Sequence, residues 1–448
     1  MEFVKALFIF RRDLRLQDNT ALLYALEYAK EVICAFIFTP EQIENNPYRS
    51  DFCLQFMLES LEELEEELEK KGGKLFYFYD EPEKVVEKCI KKLGVDLVVV
   101  NRDYTPYSIQ RDKKIEKACQ GIGFQSFDDL FLHVPEEMLK SNGEPYTIFT
   151  PFYKNAMKFD VAPPVDNRHT NYMKGSIPFA EGKSLFKQIL PKRHQAQKGG
   201  RKEALKILKT IASFSHYEVE RDFPAKDATT HLAPHLKFTT ISPREAYYGL
   251  AANSALIRSL YWRDFFSLIA LHFPHVFKGA FHKKFQDLEW HGSAAQFKRW
   301  CEGTTGFPIV DAGMRQLNQT GYMHNRVRMI VASFLVKDLH IDWRKGEKYF
   351  AQHLIDYDPA VNNGNWQWSA STGCDAQPYF RIFNPWAQQE KFDPDCEYIK
   401  KWVPELAKES SKTIHNWYKE MGDSDYPAPM VDHAVEAKKA LSYYKRRS

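Results

Sequence analysis

At 448 residues the chain is too long for one simple core and is expected to divide into two or three domains. Its 44% hydrophobic content is that of a globular protein, and no run approaches the roughly 20 apolar residues that span a bilayer, so no membrane-spanning helix is expected. The net charge of +3 hides an asymmetry: residues 1–130 hold 18 Lys+Arg against 25 Asp+Glu, net −7, leaving 44 against 34, net +10, for residues 131–448. A polyanionic partner is therefore expected at the later part of the chain and not at the first. The opening Met1-Glu2-Phe3-Val4-Lys5 is charged too early for a signal peptide, which points to the cytoplasm. Seven cysteines (Cys34, Cys53, Cys89, Cys119, Cys301, Cys374, Cys396), odd in number and without a CxxC, suit neither a disulfide framework nor zinc, and no metal is expected.

In chain order, short apolar runs at Ala6–Phe10, Val32–Phe38, Leu75–Tyr79 and Leu97–Val100 alternate with amphipathic stretches, clearest from Leu54 to Lys70. That alternation predicts an α/β domain over 1–130 built on a doubly wound parallel sheet, Rossmann-like but without a GxGxxG after the first strand. From 131 to 200 the periodicity lapses into Pro-, Gly- and Lys-rich sequence, read as a connector laid over the surface. Beyond 201 the pattern is helical: Ala204–Phe214, Pro243–Leu256, Leu260–Leu271, Ala294–Cys301, Asp311–Thr320, Asn325–Lys337 and Lys345–Leu354 predict an all-helical domain over 201–448.

All nine tryptophans lie beyond residue 260, two of them in Trp366-Gln367-Trp368. Singly each is an ordinary core residue; beside paired acids and amides they suit a flat, electron-exchanging ligand. Three segments supply parts of such a site. Thr229-Thr230-His231-Leu232-Ala233 offers hydroxyls and backbone amides to phosphate, although threonines also serve as plain helix caps. In Met323-His324-Asn325-Arg326-Val327-Arg328-Met329, helical spacing puts Asn325, Arg328 and Met329 on one face and Arg326 on another, so one arginine pairs with a buried acid while the other meets phosphate. The third, Asp356-Tyr357-Asp358-Pro359 through Asn362-Asn363-Gly364-Asn365 to Trp368, is read as a loop whose acids and amides line a heterocycle's edge, with Trp366 and Trp368 facing different partners.

Together with Arg11-Arg12-Asp13-Leu14-Arg15, Trp262-Arg263-Asp264-Phe265 and Thr305-Gly306-Phe307-Pro308-Ile309-Val310-Asp311-Ala312, these motifs resemble the photolyase/cryptochrome family over nearly the whole chain, most closely its bacterial class I cyclobutane pyrimidine dimer photolyases. The resemblance implies FAD in the helical domain, held by Tyr217, Thr229, Thr230, His231, Leu232 and Ala233 at its phosphates and ribityl chain and by Asp356 paired with Arg328, with Tyr357 and Asp358 adjacent. Asn362 is then the uncharged amide near the reactive flavin nitrogen. The family's photoreduction chain maps onto Trp366 nearest the flavin, Trp343 in the middle and Trp290 at the surface, leaving Trp300, Trp386, Trp402 and Trp417 as structural. Trp262 and Trp368 match the aromatic pair that packs against a flipped dimer in UV-damaged DNA, with Asn325 and Met329 in the same pocket. Arg221, Arg263, Arg326 and Gln388 match positions at the DNA. A monomer is expected.

Two positions depart from the family pattern. Three residues before Trp262, relatives carry a glutamate that hydrogen-bonds the dimer, and here Ser259 stands. After Tyr107 this chain has Ser108 where folate-binding members have glutamate, so a deazaflavin antenna at Asp103 is favoured over methenyltetrahydrofolate. The competing readings are a cryptochrome photoreceptor, which Asn362 counts against, and repair of the (6-4) photoproduct, which the absence of a histidine-rich stretch at Met323–Met329 counts against.

Overall fold

The computed structural model of the protein describes residues 2–189, 195–226 and 228–447. The chain divides into two compact units, one of Met1–Arg193, Gln197–Ser215 and Thr230–Pro274, the other of His194–Ala196, His216–Thr229 and His275–Ser448.

In the first unit five strands, β1 (Phe3–Phe10), β2 (Ala29–Phe38), β3 (Leu75–Tyr79), β4 (Leu97–Asn101) and β5 (Gly123–Phe127), form a parallel sheet in the order β3-β2-β1-β4-β5. Phe8 of β1 lies opposite Cys34 of β2 on one side and Val99 of β4 on the other. Helices Thr20–Tyr28, Asp51–Lys70, Pro82–Leu93 and Pro106–Ala118 follow the first four strands. A sheet covered on both faces needs strands apolar at every position, and Ala6, Leu7, Phe8, Ile9 and Phe10 are all buried accordingly. The strand order reverses between β1 and β4, so a crevice opens at their carboxyl ends.

β5 had no counterpart among the apolar runs. Its sequence Gly-Phe-Gln-Ser-Phe is polar at two positions and partly exposed because it pairs with β4 alone at the sheet edge. The connector expected on the surface differs too. Residues 190–194 of it lie outside the described residues, but helix Phe149–Ala156 buries Phe149, Phe152 and Ala156, and Tyr172 bridges to Val32 of β2. The segment expected as one helix over Pro243–Leu256 is two. Pro243–Gly249 starts from a capping box between Ser242 and Glu245, and Ser254–His272 restarts where the Asn253 side chain accepts from the amides of Ala255 and Leu256.

The regular elements among the described residues of the second unit are all helices. Its core gathers Trp300, Trp343 and Trp366 with Phe307, Phe334, Leu335, Ile330 and Phe350. Helix Asn325–Ser333 runs on into a π-helical turn, Phe334–Asp338, ahead of helix Trp343–His353. The stretch read as a loop after Asp356 is instead helix Pro359–Ala370: Asp358 caps it by accepting from the amides of Ala360 and Val361, and Pro359 fills its first turn. Its amides belong to the core after all, since Asn362, Asn363 and Gln367 are buried with their hydrogen bonds made inside the protein. All seven cysteines are free thiols, and no helix among the described residues is long and apolar enough to cross a membrane.

Candidate flavin and lesion site

An ion pair ties helix Asn325–Ser333 to the segment just before helix Pro359–Ala370. Arg328, on helix Asn325–Ser333, donates from Nη1 and Nη2 to the two carboxylate oxygens of Asp356 at 3.2 and 2.9 Å, while its Nε donates to the Met323 carbonyl at 2.8 Å. The Asp356 side chain is only 8% exposed, so the fork geometry holds a charge that burial would otherwise penalise heavily. The expectation that one arginine of this helix pairs with a buried acid is met by Arg328.

Helix Pro359–Ala370 follows directly. Asn362 donates to the Glu347 backbone carbonyl at 3.1 Å, and Asn363 donates to the Val276 carbonyl at 3.0 Å and the Glu347 carboxylate at 2.9 Å. Glu347 thus braces both amides from helix Trp343–His353, and burial pushes its carboxyl up to about 7, more than the Asn363 hydrogen bond pulls it down. Trp366, one turn beyond Asn362, is fully buried, and its ring lies against Gly346 so closely that a Cβ there would sit 2.2 Å from Cη2. Trp368 lies on another side of the helix and is half-buried.

Of the expected electron-transfer residues, Trp343 is 3% exposed at the start of its helix, and Trp290 is partly buried against the same core. Trp300, read as structural, stands edge-on to Trp366 with ring centroids 6.2 Å apart and donates from its indole nitrogen to the Val331 carbonyl. Phe350 meets Trp366 at 4.9 Å.

The threonine loop is divided between the units. In the second, the Thr229 hydroxyl lies 3.3 Å from the Tyr322 hydroxyl, and Tyr217 has the Arg221 guanidinium 5.5 Å over its ring. In the first, the Thr230 hydroxyl accepts from the Leu232 amide, His231 takes φ 53° with a ring nitrogen 2.9 Å from Gln197 Nε2, and Ala233 opens a short helix to Lys237. Within the second unit, the part-buried Arg328–Asp356 pair and the Thr229 and Tyr322 hydroxyls are a donor set whose chemistry fits the polar edge and the ribityl or phosphate oxygens of FAD.

Around Arg328 on the same helix, Asn325 is exposed with its amide 4.0 Å from the sulfur of half-buried Met329. Arg326 projects elsewhere, as expected, but is already engaged: it pairs with Asp222 at 2.7 Å and lies 4.3 Å over the Phe392 ring. Tyr357 and Gln388 are half-buried. In the first unit, Trp262 is half-buried and stacked on Phe149, ring centroids 3.6 Å apart and planes 6° from parallel. The Ser259 hydroxyl donates to the Ala255 carbonyl of its own helix at 3.1 Å. Arg263 is bound internally, to Asp264 and the Leu130 carbonyl, with its side chain 14% exposed; the exposed cation of this helix is Arg258.

The crevice between β1 and β4 forms a shallow cleft lined by Arg11, Arg12, Asn101, Arg102, Asp103 and Thr239 among others. Asp103 pairs with Arg12 at 3.6 Å. Burial, and then Arg111, lowers the Arg11 guanidinium to about 10, and buried N–H groups of Arg11 and Arg102 find no partner among the described residues.

Two family models cover most of the chain: DNA photolyase over residues 6–169 and the FAD binding domain of DNA photolyase over residues 256–446. The deoxyribodipyrimidine photo-lyase of Vibrio cholerae is 40% identical across 97% of this chain and 98% of its own. The chain belongs to the DNA photolyase family. An archaeal photolyase from Sulfolobus tokodaii, whose structure holds two FAD molecules, superposes with a TM-score of 0.91 at 44% identity over 99% of this chain and all of that one. A Synechocystis cryptochrome superposes with a TM-score of 0.90 at 27% identity over 99% and 100%. The two-domain fold expected from the sequence is the family's, and the helical part is an FAD-binding domain.

Sequence reasoning passed over Glu347, Gly346, Phe149 and Arg258. Gly346 and Glu347 carried a signal of sorts, lying three and four residues after Trp343, a tryptophan already singled out. Phe149 carried none, because the residue it serves is more than 100 positions away.

Proposed function

We propose that this protein binds FAD and uses light to split cyclobutane pyrimidine dimers in DNA, the reaction of a deoxyribodipyrimidine photolyase. The observation that carries it is the part-buried, two-pronged Arg328–Asp356 pair one helix cap away from Asn362, in a chain that matches a named photo-lyase along 97% of its length. When bound, reduced FAD supplies the electron that light drives into the dimer. Asp356 and Arg328 fix the flavin edge, with Tyr357 and Asp358 beside them, while Tyr217, Thr229, Thr230, His231, Leu232 and Ala233 take up its phosphates and ribityl chain. Asn362 offers the flavin an amide and not an acid, held in place by the Glu347 carbonyl. Trp366, Trp343 and Trp290 hand electrons inward from the surface.

Trp262 and Trp368 pack on the extruded bases, with Asn325 and Met329 lining the pocket; extrusion costs a few kcal/mol, least at a damaged site. Arg221, Arg326 and Gln388 meet the DNA backbone, Arg326 by exchanging Asp222 for phosphate. Arg263 positions its helix through Asp264. The guanidinium-lined cleft at Asp103 takes the antenna, a deazaflavin or, as in the Sulfolobus relative, a second FAD. The functional division follows 1–130 for the antenna, 131–200 for the connector and 201–448 for FAD and DNA, and the protein acts as a monomer in the cytoplasm.

The cryptochrome reading draws on one observation, that the Ser259 hydroxyl is turned into its own helix. Light-dependent conversion of a dimer-containing oligonucleotide by reduced protein separates the two. Conversion is expected, and dimers left intact by fully reduced, DNA-bound protein overturn the repair reading. Asp356→Ala tests the cofactor site separately, because it strands Arg328 in a partly buried position; full flavin occupancy in that variant refutes the assignment.

A further inference from the structure

We infer that Phe149 is a positioning residue for dimer recognition, acting through Trp262; the inference rests on the reading that Trp262 packs against the lesion. Helix Phe149–Ala156 sets Phe149 and Tyr153 in parallel, ring centroids 5.7 Å apart with 11° between planes. Helix Ser254–His272 answers with Arg258 and Trp262, one turn apart on one face. The Arg258 guanidinium lies 5.4 Å from the Phe149 ring and 5.6 Å from the Tyr153 ring, and Trp262 stacks on Phe149. Phe265 abuts the indole at 86° and Phe266 at 33°, with centroids 5.7 and 5.4 Å away.

The burial is unequal across this stack. Phe149 is 1% exposed whereas Trp262 is only half-buried, so the face of the indole on Phe149 is closed and the exposed part of the ring lies away from it. The support is therefore built from beneath: a ring sealed in the core sets the plane of a ring that meets the ligand. A face-to-face contact at 3.6 Å with planes 6° apart fixes tilt as well as position. An aliphatic side chain of similar size leaves tilt free. A flipped dimer gives up its stacking in the duplex and regains it only on a flat surface already held at the right angle, because ordering a loose indole on binding is subtracted from affinity. Arg258 reinforces the stack from the exposed side by its attraction to two ring faces.

The test is a double-mutant cycle read as the ratio of affinities for dimer-containing and undamaged duplex of the same sequence, measured on the FAD-bound protein. Phe149→Leu is expected to lower that ratio about tenfold, equivalent to about 1.4 kcal/mol, with binding to undamaged duplex, flavin content and photoreduction rate unchanged. In a Trp262→Ala background the same change is expected to cost nothing further, since Phe149 has no indole to orient. Phe149→Tyr keeps the stacked ring and is expected to retain the wild-type ratio. Should Phe149→Leu fail to fold, Phe149→Met fills the cavity without a ring and enters the same cycle. A wild-type ratio in Phe149→Leu or Phe149→Met, or an equal loss with and without Trp262, overturns the inference. An unchanged ratio in Trp262→Ala alone overturns the underlying reading of Trp262, an outcome distinct from either.

Discussion

Gly346→Ala pits helix propensity against packing. Gly346 lies inside helix Trp343–His353, where alanine is ordinarily better by about 1 kcal/mol. Here the added Cβ falls 2.2 Å from Cη2 and 2.6 Å from Cζ3 of Trp366 and 2.5 Å from Cδ2 of Leu335. Carbon atoms settle at about 3.5–4.0 Å, so the indole must withdraw by more than about 1 Å. Trp366 has little room to do so, with Trp300 and Phe350 edge-on to it and its own exposure at 2%. Overpacking of this kind costs about 1–3 kcal/mol, which outweighs the propensity gain or cancels it at the lower bound, and the displacement falls on the tryptophan assigned nearest the flavin. The variant is expected to melt no higher than wild type and to photoreduce its flavin more slowly under blue light with external reductant. A higher melting temperature with an unchanged photoreduction rate would refute the packing argument outright.

Three further outcomes are expected. Burial raises the Glu347 carboxyl from the usual 4.5 to about 7, so the stability it contributes is full below pH 4.5 and is lost as pH rises towards 7; Glu347→Gln should gain on wild type across that window by at most about 3 kcal/mol, and a pH-independent difference in unfolding free energy contradicts this. Asp222→Asn releases Arg326 from its 2.7 Å ion pair and should tighten duplex binding while steepening the logarithmic salt dependence by about one unit; unchanged or weaker binding removes Arg326 from the DNA contacts. Ser259→Glu replaces a hydroxyl committed to the Ala255 carbonyl with a longer acceptor, and should raise dimer affinity or repair yield per photon by about tenfold, whereas no change in either would show that this position does not touch the lesion.

The alternation that gave away the parallel sheet was legible because strands covered on both faces must be apolar at every residue, as Leu97–Val100 are. β5 escaped because an edge strand with one neighbour tolerates Gln125 and Ser126. The helix at Pro359–Ala370 was hidden by composition: two asparagines, a glycine and a third asparagine suggest a loop, and only the capping pair Asp358-Pro359 argues otherwise. What outweighs composition is tertiary structure, since Glu347 and the Val276 carbonyl take up the amides that would otherwise compete with the helix backbone. At the site, helical spacing separated Arg328 from Arg326, while the pairing of Arg328 with Asp356 came from the family resemblance. The engagement of Arg326 by Asp222, 104 positions earlier, and of Trp262 by Phe149 could not be anticipated, because no periodicity encodes contact between distant segments.

Under the proposed function, helix Pro359–Ala370 would carry the flavin-facing amide, the electron-transfer indole nearest the flavin and a lesion-packing indole within seven residues, Asn362 to Trp368. At 3.6 residues per turn, inserting or deleting one residue between Asn362 and Trp366 swings both tryptophans by about 100° relative to the amide. Point substitutions can alter any one of the three tasks, but a change of length disables them together. Functional variants of this segment are therefore expected to exchange residues at constant spacing, and chimaeras between relatives should place their joints outside it.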